Sequence, residues 1–235
     1  MNKLAVISGG TKGIGKATVE AFLEKGFDVV TCSRNQQDLI GLQEEVKQEY
    51  SSTTLYVKQA DLSEKEQVDE FVSYIRGLKR DVDVLVNNTG VFIPGQIHEE
   101  EEGVLEQMIN TNVYSAYHLT RGLLTGMVKQ KSGHIFMICS TASITPYVNG
   151  GSYCISKYAL YGMTKVLREE MKDKGVRVTA ILPGATKTAS WDGADIPAER
   201  FMKAEDVSKT IICGYELSKK AVIEELLVRP QLGDL

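Results

Sequence analysis

The sequence lacks most of the features that would mark a specialised class of protein. Its four cysteines, at 32, 139, 154 and 213, form no CxxC pair, so we expect free buried thiols rather than a disulfide framework. The three histidines, His98, His118 and His134, show no metal-ligand spacing, and no metal site is predicted. No apolar run is long enough to span a bilayer, and the run at residues 4–7 is too short for a signal peptide. We therefore expect a cytoplasmic protein that does not contact a membrane.

A strong charge of either sign is also missing. The 27 basic and 31 acidic residues give a net charge of −4, which favours neither nucleic acid nor an anionic membrane surface as a partner. The longest run of like charge, Glu99–Glu102, is predicted to be a solvated helix start. With 43% hydrophobic and 25% charged residues, the composition is that of an ordinary globular protein. One domain over residues 1–235 is predicted.

Short apolar runs alternate with amphipathic segments along the whole chain. Seven strands are predicted, at 4–7, 28–33, 54–58, 82–86, 133–139, 176–182 and 221–228. Helices are predicted at 14–24, 37–50, 63–75, 99–129 and 153–171, the third opening with a capping box from Ser63 to Glu66. Because the strands are continuously apolar, we predict an α/β fold: a Rossmann-type doubly wound parallel sheet with helices on both faces. Residues 189–200 are the one irregular stretch of any length.

A glycine-rich loop, GGTKGIG at residues 9–15, joins the first strand to the first helix. Glycines let the backbone turn sharply and approach a ligand closely. The helix N-terminus behind them offers free N–H groups to a pyrophosphate. The spacing GxxxGxG differs from the commoner GxGxxG, but its position after the first strand predicts a dinucleotide site. We expect cofactor contacts from Gly9, Thr11, Lys12, Gly13, Ile14 and Gly15.

The end of the second strand predicts which dinucleotide binds. A carboxylate there would bind the ribose hydroxyls of NAD, whereas an arginine would receive the 2′-phosphate of NADP. Ser33 and Arg34 stand at this point with no Asp or Glu beside them, and Lys12 adds a second positive charge. NADP(H) is therefore predicted over NAD(H). The alternative is that Arg34 is only a surface cation.

Two further segments follow strands and are expected at the same edge of the sheet. Asp61 and Leu62 follow the third strand, where a side chain could reach the adenine. Asn88, Thr89 and Gly90 follow the fourth strand. In doubly wound sheets, ligands bind at the carboxyl ends of the strands. We expect both segments to contact the cofactor, although Asn-Asn-Thr-Gly could also be a simple turn.

Tyr153 and Lys157 are the clearest candidates for chemistry. They lie four residues apart in a predicted helix, so their side chains share one face. The charge of the lysine stabilises the phenolate form of the tyrosine, which makes Tyr153 a candidate general acid/base. Such pairs also occur by chance on solvated helices, so the interpretation depends on the surrounding motifs.

Taken together, these motifs resemble those of the short-chain dehydrogenase/reductase family over essentially the full length of the chain. The shared residues, in the family's order and spacing, are the glycine loop, Asp61, Asn88-Thr89-Gly90, Asn112, Ser140, Tyr153, Lys157 and Pro183-Gly184. The departures are mild: Ser8 stands in place of Thr, Thr89 in place of Ala, and Cys139 in place of Ser. None of these changes removes a catalytic group.

The resemblance implies catalytic roles for Asn112, Ser140, Tyr153 and Lys157. Ser140 would hold a substrate carbonyl, and Tyr153 would deliver a proton to its oxygen as hydride arrives from the nicotinamide. Lys157 would stabilise the Tyr153 phenolate and bind the nicotinamide ribose, while Asn112 would hold a water that links Lys157 to solvent. Four residues are implied at the nicotinamide end of the site: Pro183, Gly184, Thr186 and Thr188.

The family implies a small-molecule carbonyl substrate, but three interpretations remain open. The first is an NADPH-dependent reductase of a ketone or diketone, or of a pterin such as sepiapterin, since residues 223–235 and 188–191 resemble bacterial sepiapterin reductase-like members. The others are a 3-oxoacyl-carrier-protein reductase and a non-catalytic NADP-binding sensor. A pterin would need a carboxylate anchor, for which Asp192, Asp195 and Asp234 are candidates. Trp191 is predicted to pack or to contact substrate.

The resemblance also implies a homodimer or homotetramer, formed through the long fourth and fifth helices of the chain. These are the helices predicted at 99–129 and 153–171. A stripe of apolar residues on the second of them could serve this contact: Ile155, Ala159, Met163 and Val166. The same stripe is equally expected of a helix that lies on its own sheet.

Overall fold

A seven-stranded parallel sheet forms the centre of the computed structural model, which describes residues 1–188, 191, 193 and 195–234. Its strands are β1 (Leu4–Ile7), β2 (Asp28–Ser33), β3 (Leu55–Gln59), β4 (Val84–Asn87), β5 (Gly133–Ile138), β6 (Val176–Pro183) and β7 (Glu225–Val228). Their order is β3-β2-β1-β4-β5-β6-β7, and every neighbouring pair is parallel. The order reverses direction between β1 and β4. The predicted fold class is confirmed.

Helices cover both faces of the sheet because the strands are apolar on both. The helices are α1 (Gly13–Glu24), α2 (Gln36–Glu49), α3 (Lys65–Gly77), α4 (Val104–Ile109), α5 (Ser115–Gln130), α6 (Gly151–Met171) and α7 (Ala204–Glu216). Side chains of α3, α5 and α6 share one buried cluster with Leu4 and Val6 of β1. Side chains of α1, α2 and α7 share the other with Ala5 and Ile7. The alternation along β1 follows from the two-residue period of a strand.

Three details of the predicted secondary structure are wrong. The helix predicted at 99–129 is interrupted: α4 starts only after Gly103, whose φ is 91°, and a π-helical turn at Asn110–Tyr114 separates it from α5. The last strand is shorter than predicted and begins at Glu225. The capping box is absent, because α3 begins at Lys65 and its N-cap is Glu64, while the Ser63 hydroxyl donates to Asp61 Oδ1 at 2.7 Å. Ser63 therefore lies one residue before the N-cap position.

Three of the four cysteines, together with His134, lie in the interior of the protein. Cys32, Cys139 and Cys154 are buried, but Cys213 is exposed, so the expectation of four buried thiols is wrong. His134 stacks on Phe136 and shares a hydrogen bond of 2.8 Å with Thr179. Burial lowers the pKa of His134 to about 2 and keeps the ring neutral. In the described part of the chain, no group of three or more potential ligands could hold a metal ion.

None of the described helices combines the length and the apolarity that crossing a bilayer requires.

Candidate active site

A cleft of about 1090 Å³ opens where the carboxyl ends of the strands meet, at the reversal between β1 and β4. Doubly wound sheets bind their ligands at this point. All predicted cofactor-binding residues border it: Gly9, Thr11, Lys12, Gly13, Ile14, Gly15, Ser33, Arg34, Asp61, Leu62, Asn88, Thr89, Gly90, Tyr153, Lys157, Pro183, Gly184, Thr186 and Thr188. Ser140 borders it too, whereas Asn112 lies behind the wall.

The glycine loop is packed too closely for larger residues. A Cβ on Gly10 would lie 2.2 Å from Thr31 Oγ1, and one on Gly15 would lie 2.1 Å from the carbonyl oxygen of Gly9. The Lys12 side chain, a hydrogen-bond donor only, cannot cap α1. The N–H groups at the first turn of α1 are therefore available to an anion in the cleft.

Two cations border the end of β2, as the sequence predicts. The Arg34 side chain is 71% exposed, and its nearest carboxylate, Asp61 Oδ2, is 4.0 Å away. Lys12 Nζ lies 2.7 Å from Asp38 Oδ2 in the first turn of α2. Asp38 was not predicted at the site, although its place near a helix N-terminus is a usual one for an acidic residue. Within the described part of the chain, no hydrogen bond occupies the Arg34 side-chain donors, and Asp61 is the one carboxylate near them.

The loop after β4 is tied to the glycine loop. Asn88 Nδ2 donates to the carbonyl oxygens of Ser8 and Gly9, at 2.9 and 3.0 Å. Ser8 Oγ in turn accepts the N–H groups of Asn88 and Thr89. Thr89 Oγ1 is buried beside the cleft and has no hydrogen-bond partner among the described residues. A hydroxyl in that state is suited to bind a ligand, since an unpaired buried polar group costs free energy.

The segment after β6 crosses the cleft towards the glycine loop. Thr188 Cγ2 lies 2.9 Å from where a Cβ on Gly13 would stand, so these two residues are in contact. Thr186 is buried, and its hydroxyl donates to the carbonyl oxygen of Gly184 at 3.0 Å. The contact between Thr188 and Gly13 thus places the two ends of the predicted cofactor site, the glycine loop and the segment after β6, in one cavity.

Lys157 is buried in spite of its charge. Its side chain is on α6, the residue is 5% exposed, and Nζ donates to the carbonyl oxygen of Ile138 at 2.9 Å. Nζ also lies 5.8 Å from the centre of the half-buried Tyr153 ring. A buried ammonium with one backbone acceptor retains two N–H donors for groups in the cleft. The side chains of Tyr153 and Lys157 are therefore neighbours, as the sequence predicts.

Ser140 is positioned by a turn that begins immediately after β5. Its Oγ accepts the N–H of Ala142 at 3.1 Å, and its own N–H donates to Ser143 Oγ at 3.1 Å. Because the Ala142 bond uses the hydroxyl as an acceptor, the O–H of Ser140 can still donate to a ligand.

Asn112 lies in the π-helical turn between α4 and α5. Its Oδ1 accepts the Val91 N–H at 2.7 Å, and its Nδ2 donates to the Val91 carbonyl and to Ser156 Oγ. A Cβ on Gly90 would lie 3.2 Å from Asn112 Oδ1 and 3.5 Å from Lys157 Nζ. Asn112 thus supports the wall beside Lys157.

Sequence reasoning missed most of the aromatic wall of the cleft, since Trp191 was its one member predicted to pack or to contact substrate. Phe92 meets the Tyr153 ring edge to face, with centroids 4.8 Å apart, and lies 6.3 Å from Trp191. Tyr147 also borders the cleft, and burial raises the pKa of its hydroxyl, so the group stays neutral. Further apolar residues that border the cleft include Val91, Pro94, Val148 and Ile196. An aromatic residue two positions after Asn-Thr-Gly was a signal available in the sequence.

The three carboxylates proposed as a pterin anchor differ in position. Asp234 borders the cleft, and its Oδ2 lies 3.4 Å from Arg229 Nε. Asp195 is exposed and is not among the residues that line the cleft. Asp192 lies outside the described residues. Of the two carboxylates described, only Asp234 can reach a ligand in the cleft.

Two cysteines near the site, Cys139 and Cys154, are buried. Burial raises the pKa of Cys139, which precedes Ser140, to about 11. Cys154 is buried against the N-terminal turn of α6. The raised pKa keeps Cys139 in the thiol form, whereas the nucleophilic form is the thiolate.

The comparison with known families agrees with this geometry. The sequence model of the short chain dehydrogenase family matches residues 3–196. The chain belongs to the short-chain dehydrogenase family. It is accordingly an oxidoreductase.

Two relatives named for an activity are similar in sequence to this short-chain dehydrogenase. A sepiapterin reductase from Chlorobaculum tepidum is 30% identical over 243 residues, which cover 100% of this chain and 99% of the relative. A diacetyl reductase from Staphylococcus epidermidis, described as (S)-acetoin forming, is 32% identical and covers 88% of this chain and 79% of the relative.

A solved structure shows the same similarity in three dimensions. An alcohol dehydrogenase from the archaeon Thermococcus sibiricus, complexed with 5-hydroxy-NADP, has a TM-score of 0.91 and 26% identity to this chain. The match covers 98% of this short-chain dehydrogenase and 97% of the archaeal chain.

Proposed function

We propose that this short-chain dehydrogenase reduces a small carbonyl compound to an alcohol with NADPH. One observation carries the proposal: Ser140, Tyr153 and Lys157 border the same cleft as the glycine loop. A dinucleotide on that loop and a carbonyl beside Tyr153 would therefore share one cavity. Residues 1–235 are proposed to form a single NADP-binding domain.

The proposed chemistry assigns one task to each side chain. The Ser140 hydroxyl donates a hydrogen bond to the substrate carbonyl oxygen and orients it. Tyr153 then delivers a proton to that oxygen as general acid. Lys157 stabilises the phenolate that remains, and Asn112 supports a water that returns the proton from solvent. NADPH, when bound, supplies the hydride to the carbonyl carbon.

NADP rather than NAD is proposed because of the charge at the end of β2. Arg34 carries an exposed guanidinium there, and Lys12 lies in the adjoining loop. Guanidinium groups bind phosphates through paired hydrogen bonds, which a ribose hydroxyl could not use as fully. The 5-hydroxy-NADP in the archaeal alcohol dehydrogenase supports the same choice.

A flat ketone or diketone is proposed as the substrate. Phe92, Tyr147 and Trp191 give the substrate end an aromatic surface, which favours planar, partly apolar molecules. The sepiapterin reductase and diacetyl reductase relatives fit this class. For a pterin, Asp234 would be the anchor. A 3-oxoacyl thioester and a non-catalytic NADP sensor remain as outcomes of the test below.

A homodimer or homotetramer in the cytoplasm is proposed, with α4, α5 and α6 at the interface. These helices and the π-helical turn between α4 and α5 expose apolar side chains that a second subunit could cover: Leu105, Tyr114, Tyr117, Ile155, Tyr158 and Val166. Light scattering at micromolar protein concentration tests the assembly. A monomer would contradict it.

The test of the reaction is NADPH consumption with sepiapterin, an aromatic diketone and a 3-oxoacyl thioester, with Tyr153→Phe as the blank. Preference for sepiapterin, lost in the variant, would support the pterin substrate. Turnover of the diketone or thioester alone would support the chemistry and reject the pterin. Binding of NADPH without any turnover would contradict the proposed reaction and favour the sensor.

A further inference from the structure

Glu100 differs from its neighbours in the acidic run. Glu99, Glu101 and Glu102 are exposed, but Glu100 is half-buried, so the expectation of a wholly solvated run is wrong. Its N–H donates to the Gln96 carbonyl oxygen at 2.9 Å, which forms a helical turn ahead of α4. This turn directs the side chain towards α6.

The carboxylate of Glu100 caps α6 from a distant part of the chain. Oε1 accepts the N–H of Ser152 at 2.8 Å, and Oε2 accepts the Ser152 hydroxyl. Ser152 is the second residue of α6, and such an N–H has no partner within its own helix. Gly150 precedes the helix and has no side chain to accept it. Glu100 therefore supplies the missing acceptor, with a charge that the helix dipole favours.

Two glycines leave the space that the Glu100 side chain fills. A Cβ on Gly151 would lie 2.0 Å from Glu100 Oε1, and one on Gly95 would lie 2.7 Å from Glu100 Cγ. Gly95 also donates its N–H to the Asn149 carbonyl at 3.0 Å and pairs with Gly150 as an isolated bridge. The loop after β4 and the start of α6 are joined at this point.

The junction lies next to the reacting groups. Ser152 is the residue before Tyr153, and the loop after β4 carries Phe92, whose ring contacts Tyr153. We propose that Glu100 is a positioning residue for Tyr153. By joining α6 to the loop after β4, it holds the tyrosine ring between Phe92 and Lys157. The inference rests on the proposed reductase function, in which Tyr153 delivers the proton.

Kinetics of Glu100→Ala and Glu100→Gln test the role in turnover. We expect kcat of Glu100→Ala to fall about tenfold to a hundredfold, the effect of misplacing a reacting group by about 1 Å. The KM for NADPH should stay within about twofold, since the Glu100 contacts are to α6 and not to the glycine loop. Glu100→Gln keeps an oxygen for the Ser152 N–H and should recover part of kcat. Glu101→Ala and Glu101→Gln, at an exposed position, are the matched controls.

Fluorine NMR reads the position of Tyr153 without any turnover. Protein labelled with 3-fluorotyrosine contains ten labelled tyrosines, and Tyr153→Phe identifies the resonance of Tyr153. We expect that resonance to shift or broaden in Glu100→Ala and to stay unchanged in Glu101→Ala. Glu100→Gln takes the place of Glu100→Ala if the latter does not fold.

The outcomes separate the inference from the function on which it rests. A folded Glu100 variant with unchanged kcat and an unchanged Tyr153 resonance would overturn the proposal, as would a variant that changes only the melting temperature. If the wild-type protein reduces no carbonyl, the proposed function fails. An altered Tyr153 resonance in Glu100→Ala would then still support the positioning role.

Discussion

Polar side chains at the two ends of the parallel strands differ in how fully they are paired with other groups of the protein. At the amino ends, polar groups bind one another: Arg80 and Asp28 form an ion pair at 2.6 Å with both side chains 9% exposed, and Asp83 accepts the Leu4 N–H. At the carboxyl ends, Lys157 and Thr89 keep hydrogen-bonding capacity beside the cleft. The named groups at the amino ends are thus paired internally, whereas at the carboxyl ends some polar groups stay available to ligands beside the internal bonds of Asn88 and Asn112. Substitutions at the two ends should therefore affect different properties.

The largest expected effect is on catalysis at the carboxyl ends. Tyr153→Phe removes the proposed proton donor and should lower kcat about a thousandfold, within the range of general acid catalysis. The melting temperature and NADPH affinity should be unchanged, because the phenyl ring still packs on Phe92. Tyr158→Phe, five residues further along α6 at an exposed position, is the control and should retain full activity. Steady-state kinetics and thermal unfolding would measure both properties.

The next effect is on stability at the amino ends. Arg80→Met leaves the Asp28 carboxylate without its guanidinium and should cost about 3 kcal/mol of unfolding free energy, as for other buried ion pairs. Urea unfolding measures this loss, and kcat per folded molecule should not change. Lys65→Met in the exposed pair with Asp69 is the control and should have no measurable effect. A loss of turnover in folded Arg80→Met would contradict the expectation that substitutions at the amino ends change stability but not activity.

A smaller effect is expected on cofactor choice. Arg34→Ser removes the guanidinium proposed to bind the 2′-phosphate and should raise the KM for NADPH about tenfold to a hundredfold, the range for hydrogen bonds to charged groups. The KM for NADH should stay the same. Arg121→Ser, at an exposed position on α5, is the control. Equal affinity for NADPH and NADH in the wild-type protein would reject the role of Arg34.

A still smaller effect concerns the aromatic wall. Phe92→Leu removes an aromatic ring from the cleft wall where the substrate is proposed to bind and should lower kcat/KM for an aromatic diketone about threefold to tenfold, since a pair of aromatic rings contributes about 0.5–1.5 kcal/mol. An aliphatic diketone should be affected less. Equal losses for both substrates would show that Phe92 does not contribute to substrate selection.

The smallest effect is a pH dependence of stability at the amino ends. Burial opposes ionisation of Asp28, but hydrogen bonds from Asn2, Arg80 and the Thr54 N–H outweigh it and lower the pKa of the carboxyl. A carboxyl with a lower pKa in the folded state stabilises above its unfolded pKa of about 4, and this contribution is lost as the pH falls through the folded pKa. Urea unfolding between pH 7 and pH 3 should therefore show a smaller decline for Asp28→Asn than for wild type. An identical decline would contradict this.

Most of the sheet was predictable because its signals are local. Continuous apolar runs predict buried parallel strands, and GGTKGIG between a strand and a helix predicts the turn at the switch point. The helix at 99–129 was mispredicted because Gly103 and the π-helical turn break a pattern that looks continuous in amphipathicity. The capping box failed because α3 begins one residue later than the motif requires, so that Glu64 and not Ser63 is its N-cap.

The sequence by itself determined the parallel sheet and which residue types would reach its carboxyl ends, since both follow from short-range patterns. The tertiary structure alone decided that Phe92 meets Tyr153 and that Glu100 caps a helix 52 residues away. No periodicity encodes such contacts, because they depend on how two loops fold against each other. The space that Gly95 and Gly151 leave for the Glu100 carboxylate exists only once α6 and the loop after β4 have come together.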